Sequence, residues 1–287
     1  MSKRLERERM KEGFHHQHLY PFVDVCLTSK EKVKDLDLIL QEKALFWTDK
    51  PVDVVAKLST AKVFYLYPDS YDQWTDILLE IQQRRSLPVK LILLCDSDIR
   101  FCLDHLEIMF AFFPQTEFWI QNWLGYHPQA TLLPLGCFNH MVIQESKEKP
   151  SQLTISFGNT YIGCEARETF AKFVQKTKEL EPYILPSMPH RDYCKLVSLS
   201  LYHTCPMGEG PDTFRFWESL MLGTIPVVKD DDFYDFVEYH YPDIPILRLK
   251  QWGELIELLP FLQNQPLPSM PYLERDYWLD KIKAFKE

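Results

Sequence analysis

Short apolar runs alternate with amphipathic stretches along the first half of the chain. Three runs carry the β-branched and aromatic enrichment of buried parallel strands: Val52–Leu58, Val63–Tyr67 and Val89–Cys95. Between the last two runs, apolar residues recur at helical spacing from Trp74 to Ile81, which predicts an amphipathic helix over residues 70–85. Because strand and helix alternate, the pattern favours a parallel sheet covered by helices.

The same alternation continues to the end of the chain. A second helix is predicted at Phe101–Phe113, and two further strands are predicted at Glu117–Ile120 and Ala130–Leu133. Later strands are predicted at Leu153–Phe157, Leu199–Thr204, Ile225–Val228 and Ile244–Leu249, and later helices at Glu165–Leu180, Tyr193–Ser200, Trp252–Leu259 and Tyr272–Phe285. The sequence therefore predicts an α/β protein throughout.

The most polar connection between two strand-like runs lies at Phe138–Ser151, and this composition favours a domain boundary. We expect an N-terminal domain over residues 1–140 and a second domain over residues 141–271. Residues 272–287 form a C-terminal helix in this interpretation. A chain of 287 residues is long enough for two such domains.

One segment, Cys205–Val228, combines a loop, a short helix and a buried strand in immediate succession. Gly208 and Gly210 interrupt regular structure, and Asp212 or Thr213 can cap a helix that starts just after them. Gly223 stands where a left-handed C-terminal cap is expected. Free backbone N–H groups at such a helix start stabilise a phosphate, so the segment predicts an anion site.

Arg215 and Glu218 lie three residues apart on one face of this predicted helix. One interpretation is an exposed ion pair that contributes only tenths of a kcal/mol. The other is a binding site, in which the guanidinium reaches a diphosphate and the carboxylate accepts hydrogen bonds from ribose hydroxyls. The glycine loop before the helix and the apolar strand after it favour the binding site.

The residues around this pair resemble the donor-binding segment of exostosin-type glycosyltransferases. The match is the pattern Asp-Thr-x-Arg-x-Trp-Glu-x-Leu over residues 212–220, with a Cys-Pro-x-Gly loop before it and Gly-Thr-Ile-Pro-Val-Val after it. The resemblance implies the GT-B fold, in which two doubly wound, Rossmann-like α/β domains face each other across a cleft. The C-terminal domain of that fold holds the nucleotide-sugar donor.

Weaker similarities extend upstream to about residue 95. Ser156-Phe-Gly-Asn-Thr160, followed by Arg167, resembles the first strand, loop and helix of the family's donor domain. Leu132-Leu-Pro-Leu-Gly136 resembles the last strand of the first domain, and Cys95-Asp-Ser-Asp98 with Gln121-Asn-Trp123 resembles the acidic and aromatic-polar segments of short exostosin-like enzymes. The donor-binding residues implied by these matches are Arg215, Glu218, Asp212, Thr213, Gly208, Arg167, Gly158 and Asn159.

The implied activity is transfer of a sugar from a nucleotide-diphosphate donor to a glycan or another hydroxyl acceptor. The family favours a UDP-sugar; a fucosyltransferase that uses GDP-fucose and a catalytically silent nucleotide- or glycan-binding scaffold remain as alternatives. Inversion at the anomeric carbon needs a base, for which Asp98 is the candidate, as base or as acceptor-binding residue.

The leaving diphosphate gains negative charge, which either a metal held by carboxylates or a set of arginines and helix N-termini can stabilise. Arg215 and Arg167 supply the second solution, so we expect no metal and no other cofactor. Asp96-Ser-Asp98 also follows a predicted strand, which is how the metal motif of GT-A glycosyltransferases is placed. Loop or helix-cap chemistry explains such a short acidic pattern more often than a metal site does.

Charge, hydropathy and cysteine usage further limit the classes of protein to which the chain can belong. The net charge of −9 disfavours a nucleic-acid binder, and no apolar stretch reaches the length of about 18 residues that a membrane span needs. Seven scattered cysteines form no C-x-x-C pair and indicate reduced thiols rather than disulfides. These features predict a cytoplasmic enzyme of bacterial or viral type, unlike the membrane-anchored animal members of the resembled family.

Two further polar clusters have alternative explanations. His15, His16 and His18 precede an apolar run, and they either line the cleft or form a solvated arm. Asp230, Asp231 and Asp232 follow a predicted strand, and they serve either as turn residues or as contacts to sugar hydroxyls.

Overall fold

The structure is a computed structural model of the whole chain. It describes residues 13–28, 34, 37–46, 57–67, 75, 78, 89–95, 100–137, 146, 148–157, 164–208 and 210–286. The chain divides into two compact units, each built from several segments. One comprises Met1–His15, Gly136–Asp231 and Asp243–Tyr277, and we call it the 136–277 unit; the other comprises His16–Leu135, Asp232–Pro242 and Trp278–Glu287, and we call it the 16–135 unit.

A parallel sheet of six described strands forms the centre of the 16–135 unit. Its strands are β1 (Val25–Thr28), β2 (Ala44–Phe46), β3 (Val63–Leu66), β4 (Leu91–Leu94), β6 (Glu117–Ile120) and β8 (Ala130–Leu132). They are ordered β2-β1-β3-β4-β6-β8, and every neighbouring pair is parallel. Two short strands, β5 (Phe101–Cys102) and β7 (Trp123–Leu124), pair separately.

Helices cover this sheet because its central strands are apolar on both faces. All four residues of β1, β3 and β4 are buried. The described helices of the unit are α1 (Leu38–Glu42), α2 (Leu103–Phe112), α6 (Asp232–His240) and most of α8 (Arg275–Lys286). In α8, Trp278 is fully buried and meets the ring of Trp119 edge-on at 5.0 Å.

The 136–277 unit is built on a second parallel sheet, with four described strands. They are β9 (Ser151–Thr154), β10 (Ser200–Thr204), β11 (Ile225–Lys229) and β12 (Leu247–Leu249), ordered β12-β11-β10-β9. The helices of this unit are α3 (Glu165–Lys176), α4 (His190–Ser198), α5 (Phe214–Met221) and α7 (Glu254–Leu258). A core that includes Leu153, Phe170, Tyr202, Val227 and Trp252 packs against one face of the sheet.

The predicted α/β class with parallel sheets is confirmed. The strands predicted from the runs beginning at Val63, Val89, Glu117 and Ala130 are present, each within two residues of the predicted start. The strand predicted at Val52–Leu58 is wrong at its described end, since residues 57–58 are helical. The helix predicted over residues 70–85 lies outside the described residues, apart from positions 75 and 78.

Several of the described elements were not predicted, among them the strands β1, β2 and β7 and the helices α1 and α6. The strands β2 and β7 are only three and two residues long and helix α1 only five, so none of these three produces a clear periodicity. Helix α6 begins at Asp232, within the acidic run that was interpreted as a turn or a sugar contact. Asp230 of the same run bonds Arg248 of β12, with its Oδ1 2.6 Å from Nε.

None of the helices in the described part of the chain combines the length and the apolar character that crossing a membrane requires.

Candidate anion site at the carboxyl end of β10

The loop that carries the glycines leaves the carboxyl end of β10. This strand lies between β9 and β11, so the loop begins in the interior of the sheet rather than at its edge. Ligands of open parallel sheets collect at the carboxyl ends of the strands. The segment singled out in the sequence therefore occupies the position in its unit where a ligand is expected.

Thr213 caps the helix that follows the loop. Its hydroxyl oxygen accepts a hydrogen bond from the N–H of Phe216 at 3.3 Å, and its backbone is extended, as an N-cap requires. Gly223 ends the helix with a φ of 71°, which confirms the predicted left-handed cap. The predicted helix is present with both of its ends explained.

Asp212, the other predicted cap, holds a side chain of the helix instead. Its Oδ1 accepts a hydrogen bond from the indole N–H of Trp217 at 2.5 Å, and Asp212 is only 5% exposed. Because Trp217 is fully buried, this bond fixes the loop against the core at the point where the helix begins.

Arg167 of α3 packs on the glycine loop. A Cβ atom on Gly208 would lie 2.7 Å from the Nη2 atom of Arg167, so only glycine allows the guanidinium to come this close. The Cys164 thiol, next to the start of α3, donates to the carbonyl of Gly208 at 3.3 Å. Helix α3 and the glycine loop therefore pack together, and Arg167, a predicted donor-binding residue, lies at their contact.

Arg215 is half-buried in the first turn of α5. Its Nη1 atom is buried, and no acceptor among the described residues bonds it. A buried guanidinium nitrogen without an acceptor is costly, because its N–H groups have lost water without gaining a partner. At the start of a capped helix, that geometry favours an anionic ligand as the missing acceptor.

Glu218 is buried, which excludes the exposed ion pair as its explanation. The residue is 3% exposed, and its Oε1 lies 3.0 Å from Nε2 of His190, the first residue of α4. His190 is also close to Cys194, with Sγ and Nε2 3.6 Å apart. Hydrogen bonds to the Cys194 sulfur and to the Glu218 carboxylate raise the pKa of His190 to about 10, although burial opposes the shift. The pair is therefore an imidazolium bound to a carboxylate at neutral pH.

This pair makes stability depend on pH in a defined direction. In the unfolded chain His190 loses its proton near pH 6.5, whereas in the folded protein it keeps the proton to about pH 10. The folded state therefore binds more protons in this interval, and the contribution of His190 to stability declines as pH rises from 6.5 to 10. We expect His190→Gln to flatten the decrease in melting temperature measured by calorimetry over that interval.

A matched control is His127→Gln. Burial lowers the pKa of His127, so its titration lies below this interval and its replacement leaves the slope unchanged. Equal slopes for the wild type and for His190→Gln would contradict the imidazolium assignment.

His203 links two elements of the site from the middle of β10. Its Nε2 lies 2.9 Å from Ser156 Oγ, and its Nδ1 lies 2.8 Å from Ser219 Oγ. Burial, with the charge of Arg215 adding to it, lowers the pKa of His203 well below the usual range, so the ring is neutral with one donor and one acceptor. Ser219 in turn donates to the carbonyl of Arg215 at 2.7 Å. These hydrogen bonds connect Ser156, in the segment after β9, to the turn of α5 that carries Arg215.

The solvated-arm interpretation of the N-terminal histidines is wrong for two of them. His15 and His16 are 7% and 3% exposed. The ring of His15 stacks on Phe214, the first residue of α5, with centroids 5.7 Å apart. His16 lies in the other unit, where Nδ1 is 3.2 Å from the carbonyl oxygen of Leu135.

Five of the predicted donor-binding residues lie in the loop after β10 and in the helix that follows it: Gly208, Asp212, Thr213, Arg215 and Glu218. Arg167 of α3 packs against this loop at Gly208. Gly158, Asn159 and Asp98 lie outside the described residues. The sequence did not identify His190, Tyr193 or His203 as site residues. The one signal for any of them is the spacing of four residues between His190 and Cys194, which places both on one face of a helix.

No protein-family model matches the chain, and no curated protein matches it either. The interpretation of the site therefore depends on its geometry and on the chemistry of its residues.

Proposed function

We propose that the chain is a glycosyltransferase of the GT-B fold that transfers a sugar from a UDP-sugar to a hydroxyl acceptor, with inversion and without a metal ion. In this proposal the 136–277 unit binds the donor. Its supports are the parallel sheets of both units, the loop and capped helix after β10, and the arginines at that loop.

The observation that carries the proposal is the buried Nη1 of Arg215 at the start of a capped helix. No acceptor within the described ranges bonds it. A diphosphate oxygen supplies the missing acceptor, and the helix start adds N–H groups and a partial positive charge. An arginine with a purely structural role would have an acceptor for each of its buried N–H groups.

In the proposed reaction, the acceptor hydroxyl oxygen attacks the anomeric carbon. The bond from that carbon to the β-phosphate oxygen breaks, UDP leaves with the electron pair, and a base takes the hydroxyl proton. Arg215 stabilises the charge that grows on the diphosphate, which lowers the barrier because the interaction is strongest in the transition state. Asp98 is the proposed base, and Glu218 is the proposed partner of the ribose hydroxyls.

The proposed independence from metal rests on the charges that the site supplies. Arg215 contributes from the first turn of α5, and Arg167 contributes from α3, where its guanidinium approaches Gly208. Guanidinium groups stay protonated and match phosphate oxygens in geometry, so they can take the place of a divalent cation.

A thermal-shift panel of UDP, GDP, CMP and TDP, each with and without EDTA, tests the proposal. A ligand that binds only the folded state raises the melting temperature, and a ligand at 100 times its Kd adds about 2.7 kcal/mol of stability. We expect stabilisation by UDP that EDTA does not change. Stabilisation by GDP alone would replace the UDP-sugar with a GDP-sugar, and loss of the UDP effect in EDTA would overturn the metal-independent mechanism.

A further inference from the structure

Tyr193 of α4 places a second buried donor beside Arg215. The Tyr193 hydroxyl is buried, and it has no hydrogen-bond partner in the part of the chain that the structure describes. Its ring contacts two histidines that are both bonded to α5. It stacks near His190, with centroids 5.7 Å apart, and meets His203 edge-on at 5.6 Å.

These contacts link the ring of Tyr193 to α5 through the two histidines. His190 bonds Glu218 and His203 bonds Ser219, so both histidines that contact the Tyr193 ring bond adjacent residues of α5, in the turn after Arg215. Burial raises the pKa of Tyr193 far above its usual value, the nearby Glu218 raises it further, and the nearby Arg215 lowers it. The phenol is therefore neutral and keeps its O–H as a donor.

Two buried donors without acceptors, one on each of two adjacent helices, lower the stability of the folded protein. Each buried polar group that lacks a partner reduces stability, and native structures contain few of them. Both donors suit the same kind of partner, because an anionic oxygen accepts from a phenol and from a guanidinium at once. The Tyr193 hydroxyl oxygen and the Nη1 atom of Arg215 are covered, whereas both side chains are partly exposed. An anionic ligand therefore reaches the two donors by a local displacement of side chains.

We propose that Tyr193 is a ligand-binding residue, whose hydroxyl donates, together with Nη1 of Arg215, to an anionic oxygen of the bound diphosphate. This inference rests on the proposed nucleotide-sugar function, which it deepens by naming a second donor. It assigns to α4 a direct part in binding, whereas the sequence pattern assigned it only a place in the fold.

Tyr193→Phe in the full chain tests this assignment, because it removes the hydroxyl and leaves the ring. We expect the variant to bind UDP and inorganic pyrophosphate at least about tenfold more weakly, which is the effect of losing one hydrogen bond to a charged group. We also expect its melting temperature without ligand to be unchanged or higher, since the removed group had no partner. A structural role for the hydroxyl predicts the opposite change in melting temperature.

Tyr202→Phe is the matched control. The Tyr202 hydroxyl donates to the carbonyl of Gln263 at 3.1 Å in the same unit, so it has a partner within the protein. We expect this variant to melt about 2 °C lower and to bind both ligands as the wild type does.

The outcomes separate the inference from the proposed function. Equal binding of UDP and pyrophosphate by Tyr193→Phe and the wild type would overturn the inference and leave the nucleotide-sugar proposal standing. A fall in the melting temperature of Tyr193→Phe similar to that of Tyr202→Phe would also overturn the inference. Binding of pyrophosphate that depends on Tyr193, with no binding of any nucleoside diphosphate, would support the inference and overturn the nucleotide-sugar proposal. Binding of neither ligand by the wild type would overturn both.

Discussion

Arg215→Ala is expected to lower the affinity for UDP about 100-fold, the upper range for losing a hydrogen bond between charged groups. The reason is the position of Nη1, which is buried at a helix start and bonded to no acceptor among the described residues. Removing the side chain also removes the unpaired buried nitrogen, so folding stability should not fall with the affinity. Isothermal titration calorimetry of UDP, together with a melting curve, measures both quantities.

Arg248→Ala is the matched control, because Arg248 is a partly buried arginine of the same unit with a known partner. It bonds Asp230, with Nη2 2.5 Å from Oδ1. We expect this variant to keep the affinity for UDP. If Arg215→Ala bound UDP as tightly as the wild type, or if both variants lost affinity equally, Arg215 would have no specific part in binding.

Trp217→Ala should lower the free energy of unfolding by about 3–5 kcal/mol, as is found when a large aromatic side chain is removed from a core. Trp217 is fully buried in α5 and meets Phe216 edge-on with ring centroids 4.9 Å apart. The substitution leaves a large cavity and also removes the indole donor of Asp212. Urea unfolding of the full chain, followed through the transition of the 136–277 unit, measures the loss.

Trp217→Phe separates the two contributions. It keeps most of the apolar volume and removes the bond to Asp212, so its cost should be about 1–3 kcal/mol. A cost below about 1 kcal/mol for Trp217→Ala would show that the helix does not depend on this residue for its place in the core.

Helix α5 and its flanking strands could be predicted because their signals are local. The glycines and Thr213 define its start, Gly223 defines its end, and apolar residues at helical spacing define its buried face. The strand after it, β11, has four buried residues in a row, which is the pattern of an interior parallel strand. In each of these elements local preference and tertiary packing agree.

The partners within the site could not be predicted because they are distant in sequence. Glu218 meets His190 across 28 positions, and His203 meets Ser156 across 47. The close approach of Arg167 to Gly208 depends on how α3 packs beside the loop. A single sequence encodes such pairs only through the fold, so the contacts of Tyr193 and His203 could be identified only from the three-dimensional structure.

The N-terminal histidines show how composition alone can mislead. Three polar residues within four positions suggest a solvated segment, yet His15 is buried against Phe214. An imidazole offers an apolar ring as well as polar atoms, so it can pack on an aromatic residue in a core.

Release of UDP from a panel of UDP-sugars, measured in EDTA for the wild type and for Arg215→Ala, tests the proposed sugar transfer most directly. The predicted result is consumption of at least one UDP-sugar by the wild type, with a rate about 100-fold lower in the variant because the leaving diphosphate loses a charged donor. A wild-type protein that binds UDP and consumes no UDP-sugar would contradict the proposed enzyme activity and support a nucleotide-binding scaffold.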